Sequence, residues 1–190
     1  MDTTLVPTLL DRTLPRLDPR VRDILLIVGG SLFVAGMAQV RIPLPFTPVP
    51  ITGQTFAVLL VGAALGANRG AASLLLYLLE GIAGLPFFAG GAGGLAALLG
   101  PTGGYLIGFV AAAYLVGLLA ARGLDRRVPS ALLAFLAGEV VIYLFGVAWL
   151  SIFLGFPRAT AAGLLPFLVG DALKLVAAAL ALPAAWKLVK

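Results

Sequence analysis

The 190-residue chain is 61% hydrophobic and only 11% charged, and its 13 Lys and Arg against 8 Asp and Glu leave a net charge of +5. A soluble domain carries roughly a quarter charged residues to solvate its surface; this composition, with a mean hydropathy of +1.10, points instead to an integral membrane protein. The lack of Cys and His excludes disulfide and thiolate chemistry and removes the commonest metal ligand and general base, which argues against metal catalysis.

Residues 1–22 contain no apolar core of signal-peptide length, and Arg12, Arg16, Arg20 and Arg22 alternate with Asp there. They read as a cytoplasmic lead-in to a single domain over 23–190. Apolar runs broken by Pro, Gly and charge then predict six helices, at about 23–41, 53–67, 70–84, 103–121, 129–154 and 166–187. The second and third are short. About fifteen helical residues rise about 22 Å against a hydrocarbon core of about 30 Å, so these two are expected to lean on neighbours in a compact bundle. The expected fold class is an all-α bundle of six transmembrane helices.

Positive residues near span ends stay cytoplasmic. With the N-terminus inside, Arg12, Arg16, Arg20, Arg22, Arg69, Arg122, Arg126, Arg127, Lys187 and Lys190 are cytoplasmic, ten cations against Arg41 and Arg158 outside. Both termini are therefore expected in the cytoplasm. This topology puts 41–53, 84–104 and 155–165 on the outer face and leaves short basic turns on the inner one. Long connections gathered on one face suit a lid or binding loop, so a binding side is expected to face outward.

Along the chain, Ser31, Ala35 and Ala38 form a small-residue face on the first helix, which serves either packing within the bundle or contact with a partner. The segment 41–53 holds Pro43, Pro45, Pro48 and Pro50, which makes it stiff and extended. It reads either as a rigid connector capped by Thr52 or as a preorganised lid that holds Gln54 toward a ligand. Gly62, Gly66 and Gly70, and later Gly100, Gly104, Gly108 and Ala112, suggest close helix packing inside the chain. Glu80, near the outer end of the third helix, reads as reaching the interface. The uncharged loop 84–104 brings Gly90, Gly91 and Gly93, whose backbone N–H groups are open to a small carboxylate. Its G-x-G-x-x-A match lacks the βαβ context of a dinucleotide site.

Charges inside spans are the sharper signal, since each costs about 2.5 to 3.5 kcal/mol on insertion scales. Glu139, with Tyr143 one turn on, suits either structural pairing or ligand contact. Asp171 and Lys174 lie at i and i+3 on a helix that Pro166 is placed to start at the outer side. A buried ion pair is a doubtful stabiliser once desolvation is counted, so a polar pocket open to the outside accounts better for both.

Three stretches together, TPVPITGQTFAVLLVGAALG at 47–66, GLPFFAGGAGGLAALLGPTGGYLIGF at 84–109 and GDALKL at 170–175, supported by IYLFGVAWL at 142–150, resemble the BioY family. The likeness spans about residues 24–182. It implies the biotin-specific substrate-binding S component of an energy-coupling factor (ECF) transporter: a six-helix fold with an outward biotin pocket roofed by the loops after the first, third and fifth helices. The family's ligand-contacting acid and lysine carry over onto Asp171 and Lys174. Some members carry an Arg in the Gly-rich loop where this chain has Gly-Gly-Ala-Gly-Gly around Ala92, which leaves carboxylate recognition either to backbone donors or to Lys174, whose ammonium suits the ureido oxygen or the valerate carboxylate alike. The resemblance further implies a T component, meeting the Ser31, Ala35 and Ala38 face, and two ATPases. This chain has no P-loop motif, so ATP is expected to be used by those partners, with no cofactor in the chain itself. Membrane lipid is its expected surrounding, a prokaryotic cell membrane its location, and neither nucleic acid binding nor enzymatic activity is expected. An S component for another vitamin remains the alternative, as does an ion-coupled secondary transporter with Glu139 as carrier, although the two halves show no similarity that an inverted repeat would bring.

Overall fold

A computed structural model describes residues 4–13 and 16–187; Lys190 and parts of the lead-in lie outside the described residues. Helix α1 (Leu5–Thr13) is followed by α2 (Pro19–Gln39), a two-stranded hairpin of β1 (Arg41–Ile42) and β2 (Ile51–Thr52), α3 (Gln54–Leu65) and α4 (Ala67–Ile82). Then come α5 (Leu95–Leu98), α6 (Gly103–Ala121), a 3-10 turn (Leu124–Arg126), α7 (Val128–Leu154), α8 (Phe156–Gly163) and α9 (Leu168–Lys187). Helices α2, α3, α4, α6, α7 and α9 occupy the six expected helical ranges, with ends shifted by up to four residues. Four of them, α2, α6, α7 and α9, are long and apolar enough to cross a membrane.

The largest shift, at the start of α2, has a local cause. Asp18 caps the helix, its carboxylate accepting from Arg20 N at 2.8 Å and Val21 N at 3.3 Å, and Pro19 supplies a preset φ in the first turn. The lead-in also packs on the bundle. Leu5 and Pro7 of α1 are buried, and Leu5 joins Leu59, Ala63, Val116 and Phe135 in one core cluster. A second cluster, with Val34, Leu74, Tyr77, Phe109 and Ile142, fills the half of the bundle beneath the hairpin and the Gly-rich loop.

Segment 41–53 is a hairpin because the prolines leave only its ends free to pair. The ladder joins Arg41 to Thr52 and Ile42 to Ile51, outside the proline run, since Pro offers no N–H to a strand partner. Gly53 N donates to Val40 O at 2.9 Å and closes the base. The tip is tied across the mouth of the bundle by Thr47 Oγ1, which donates to Ala162 O at 2.8 Å. Segment 155–165 is mostly helix: Gly155, at φ 75°, turns the chain out of α7 and lets α8 fold back against it. Tyr105 OH fastens that return by donating to Gly163 O at 2.7 Å.

Small residues act inside the bundle. A Cβ at Gly62 would lie 2.6 Å from Ala113 O, and one at Gly70 would lie 2.9 Å from Gly62 Cα, so α3 approaches both α6 and α4 at backbone distance. The expected partner face on α2 is corrected by the same packing. Ser31 and Ala38 are 0% exposed and Ala35 6%, because α4 lies on that side, and Ser31 Oγ donates to Glu80 Oε2. Glu80 thus has a partner within the bundle and does not simply extend to the interface.

Candidate functional site

At the hairpin end of the bundle a cavity of about 210 Å³ opens between α3, α6, α7, α9 and the loops. Its polar wall is assembled from three helices. Asp171 and Lys174 sit on the first turns of α9, Glu139 and Tyr143 one turn apart on α7, and Thr55 at the start of α3. Lys174 Nζ donates to Asp171 Oδ1 at 2.8 Å and to Thr55 Oγ1 at 3.1 Å. Thr55 Oγ1 in turn lies 3.4 Å from Asp171 Oδ1, and Tyr143 OH donates to Asp171 Oδ2. Glu139 is within electrostatic reach of Asp171 and Lys174. Its Oε1 is buried and finds no hydrogen-bond donor among the described residues.

Donor and acceptor capacity shows what this cluster still offers. An ammonium has three N–H donors; two of Lys174's are engaged and one is left for a ligand acceptor. Asp171 Oδ1 is taken twice and Oδ2 once, which leaves Oδ2 able to accept one more bond. Glu139 Oε1 can accept another. The opposite walls are apolar and aromatic, with Val49, Phe88, Phe109, Ile142 and Phe167. Few convergent polar groups in a largely apolar cleft is the usual form of a small-molecule site.

Of the residues expected from the sequence, Asp171, Lys174, Glu139, Tyr143, Gln54 and Thr52 all line this cavity. Thr52 Oγ1 also accepts from Gln54 N at 3.2 Å, just before α3 begins. Gln54 is only partly available to a ligand, since its Nε2 donates to Tyr77 OH at 2.8 Å and Tyr77 OH donates on to Phe87 O at 3.2 Å. Gly90, Gly91 and Gly93 do not line the cavity; Ala89 and Ala92 do. Gly91 N is already spent within the fold, on Gln39 Oε1 at 2.9 Å and Phe88 O at 3.1 Å. The glycines shape the loop and do not face into the cleft.

Sequence reading missed Thr55, Tyr105 and Arg41 in the wall. Thr55 had a weak signal as the neighbour of Gln54, and Arg41 a stronger one as one of two cations on the outer segments. It also missed Asp125, at the opposite end of the bundle. This acid is 1% exposed, accepts from Trp186 Nε1 at 2.6 Å, and lies beside Arg126, whose guanidinium stacks 4.8 Å from the Trp186 ring. Burial raises its carboxyl pKa above the ordinary value, against the Trp186 hydrogen bond, which lowers it.

Known proteins resemble this chain over most of its length. The model described as the BioY family matches residues 8–190. A probable biotin transporter BioY from Pyrococcus horikoshii is 45% identical over 145 residues, 76% of this chain and 85% of that protein. The biotin transporter BioY of Rhizobium etli is 43% identical over 169 residues, covering 84% and 90%. That of Thermotoga maritima is 41% identical over 156 residues, covering 82% and 91%. The fold is similar to the 2.1 Å crystal structure of the S-component for biotin from an ECF-type ABC transporter, with a TM-score of 0.78 and 27% identity over 88% of this chain and 92% of that one.

Proposed function

Because the chain belongs to the BioY family, we propose that it captures biotin in the cavity at its hairpin end, as the S component of an ECF-type transporter. It is a transport component and not an enzyme. The observation that carries the ligand reading is the buried Glu139 Oε1, which finds no donor among the described residues, beside the Asp171–Lys174–Tyr143 cluster.

Biotin's ureido ring presents two N–H donors and one carbonyl acceptor, and the wall has the complementary vacancies. Glu139 Oε1 accepts one N–H, Asp171 Oδ2 the other, and the third Lys174 N–H meets the carbonyl oxygen. Asp171 and Lys174 neutralise each other, so an uncharged bicyclic head enters without stranding either charge. The sulfur-containing ring and its chain then lie on the aromatic side of the cleft, where contact is not directional.

Around this site, six helices cross the membrane, with both termini cytoplasmic and the hairpin, the Gly-rich loop and α8 outside; the charge count supports this orientation. The short α3 and α4 are carried across by packing on α6 and by ordered loops. Energy comes from a T component and two ATPases in the membrane of a prokaryotic cell, and ATP is used by those partners. Calorimetric titration of the purified protein with biotin, thiamine and riboflavin tests the reading. Heat from biotin alone is expected; heat from either of the others without biotin overturns it. Asp171→Asn weakens biotin binding by about tenfold to a hundredfold, the worth of a hydrogen bond to a charged group.

A further inference from the structure

The cavity has two cations in its wall, and they are in opposite electrostatic states. Lys174 is paired with Asp171 at 2.8 Å. Arg41, the first residue of β1, makes no ion pair with a described acid. An entering carboxylate therefore gains more at Arg41, where it neutralises a charge, than at Lys174, where it would compete with Asp171 and be repelled by it.

The fold holds Arg41 in place for this. Its guanidinium rests on Gly90: a Cβ at that position would come within 2.7 Å of Nε and closer still to Cζ and Nη1. Gly90 also has φ 76°, so both its backbone and the space above it exclude a side chain. Gln39, two residues before Arg41, fixes the loop that carries Gly90. Its Oε1 accepts from Gly91 N, and its Nε2 lies 3.3 Å from both Phe87 O and Phe88 O. The end of α2 thus positions the arginine and the platform beneath it together. The same bond uses up the Gly91 N–H that the loop would otherwise offer to an anion.

We propose that Arg41 on its Gly90 platform is the carboxylate subsite of this cavity and holds the valerate end of the ligand, which leaves Lys174 to the ureido end. The proposal rests on the biotin reading above. A guanidinium matches a carboxylate with two parallel N–H donors, and the hairpin that bears it is anchored at its tip by Thr47.

The test compares biotin with its uncharged amide, titrated by calorimetry into the full chain and into Arg41→Gln and Arg41→Lys. Arg41 is exposed at the mouth, so solvent screening limits the effect to about tenfold. Arg41→Gln loses that factor for biotin and nothing for the amide, and Arg41→Lys keeps part of it. The unchanged amide affinity also shows that the variant is folded. An Arg41→Gln protein that keeps the wild-type preference for biotin over the amide, or that loses affinity for both alike, overturns the proposal. Wild-type protein that binds neither compound sinks the biotin reading and this subsite with it.

Discussion

Asp171 and Lys174 matter as a pair more than as two charges. Their side chains are 7% and 21% exposed, so removing one strands the other in a poorly solvated place. Lys174→Ala should lower stability by about 3 kcal/mol, whereas Asp171→Asn combined with Lys174→Met should recover most of that loss, because no lone charge remains. Thermal denaturation in detergent compares the two, and both should bind biotin poorly. The i, i+3 spacing made the pair legible in the sequence, whereas Thr55 left only a weak signal beside Gln54 and Glu139 gave no sign of which groups it would meet, because both reach the pair from other helices. Asp125 behaves differently. Its folded carboxyl pKa is raised by burial, so the folded state holds the proton more tightly than the unfolded chain does. Its contribution to stability is therefore greatest below the unfolded value of about 3.9 and declines as pH rises through the folded one. Asp125→Asn should flatten that decline when melting temperature is followed from about pH 4 to 7. Trp186→Phe leaves a carboxylate oxygen without its donor and should cost about 1 to 3 kcal/mol.

At the scale of elements, α2 shows how one signal serves two purposes. Small residues at helical spacing permit close approach, and only the position of α4 decides that Ser31, Ala35 and Ala38 are used within the bundle. Ala35→Trp should thus unfold or destabilise the protein, by about 3 kcal/mol or more, beyond any effect on assembly. Gly36 lies on another face, where an added Cβ meets nothing within 4 Å; Gly36→Ala should be tolerated and gain up to about 1 kcal/mol from helix propensity. Melting curves of the two variants separate a packed face from an open one. The hairpin over the cavity follows another rule. Its prolines were visible as rigidity, while its strands come from the residues flanking them, and its closure depends on Thr47 reaching Ala162 across the bundle. Thr47→Ala should speed biotin release and raise hydrogen exchange at Gly53 N, which closes the hairpin base on Val40, while leaving the association rate nearly unchanged.

For the whole molecule, ends and faces carry the function. The hairpin, the Gly-rich loop and α8 gather at one end with the cavity, and α1, the 3-10 turn and the end of α9 at the other. The lack of native Cys makes orientation directly measurable. A single cysteine at Ala161, on α8, should react with an impermeant thiol reagent added to intact cells, and one at Ala121, at the end of α6, only after the membrane is opened. The reverse pattern would invert the topology that the charge count predicts.

Composition, hydropathy and charge were enough to specify a helical membrane protein, its helical ranges, and the acid and lysine that line its cavity. These follow from local rules: an apolar run long enough to form a helix, a proline or glycine that ends it, a charge too costly to leave in lipid without a role. What neighbours what required the tertiary structure. The burial of the α2 face, the withdrawal of Gly90, Gly91 and Gly93 from the cavity wall, the union of Thr55, Glu139 and Tyr143 with Asp171, and the seating of Arg41 on Gly90 all depend on contacts between segments far apart in the chain. A small residue or a charge states what a position tolerates; the partner that arrives there decides its use.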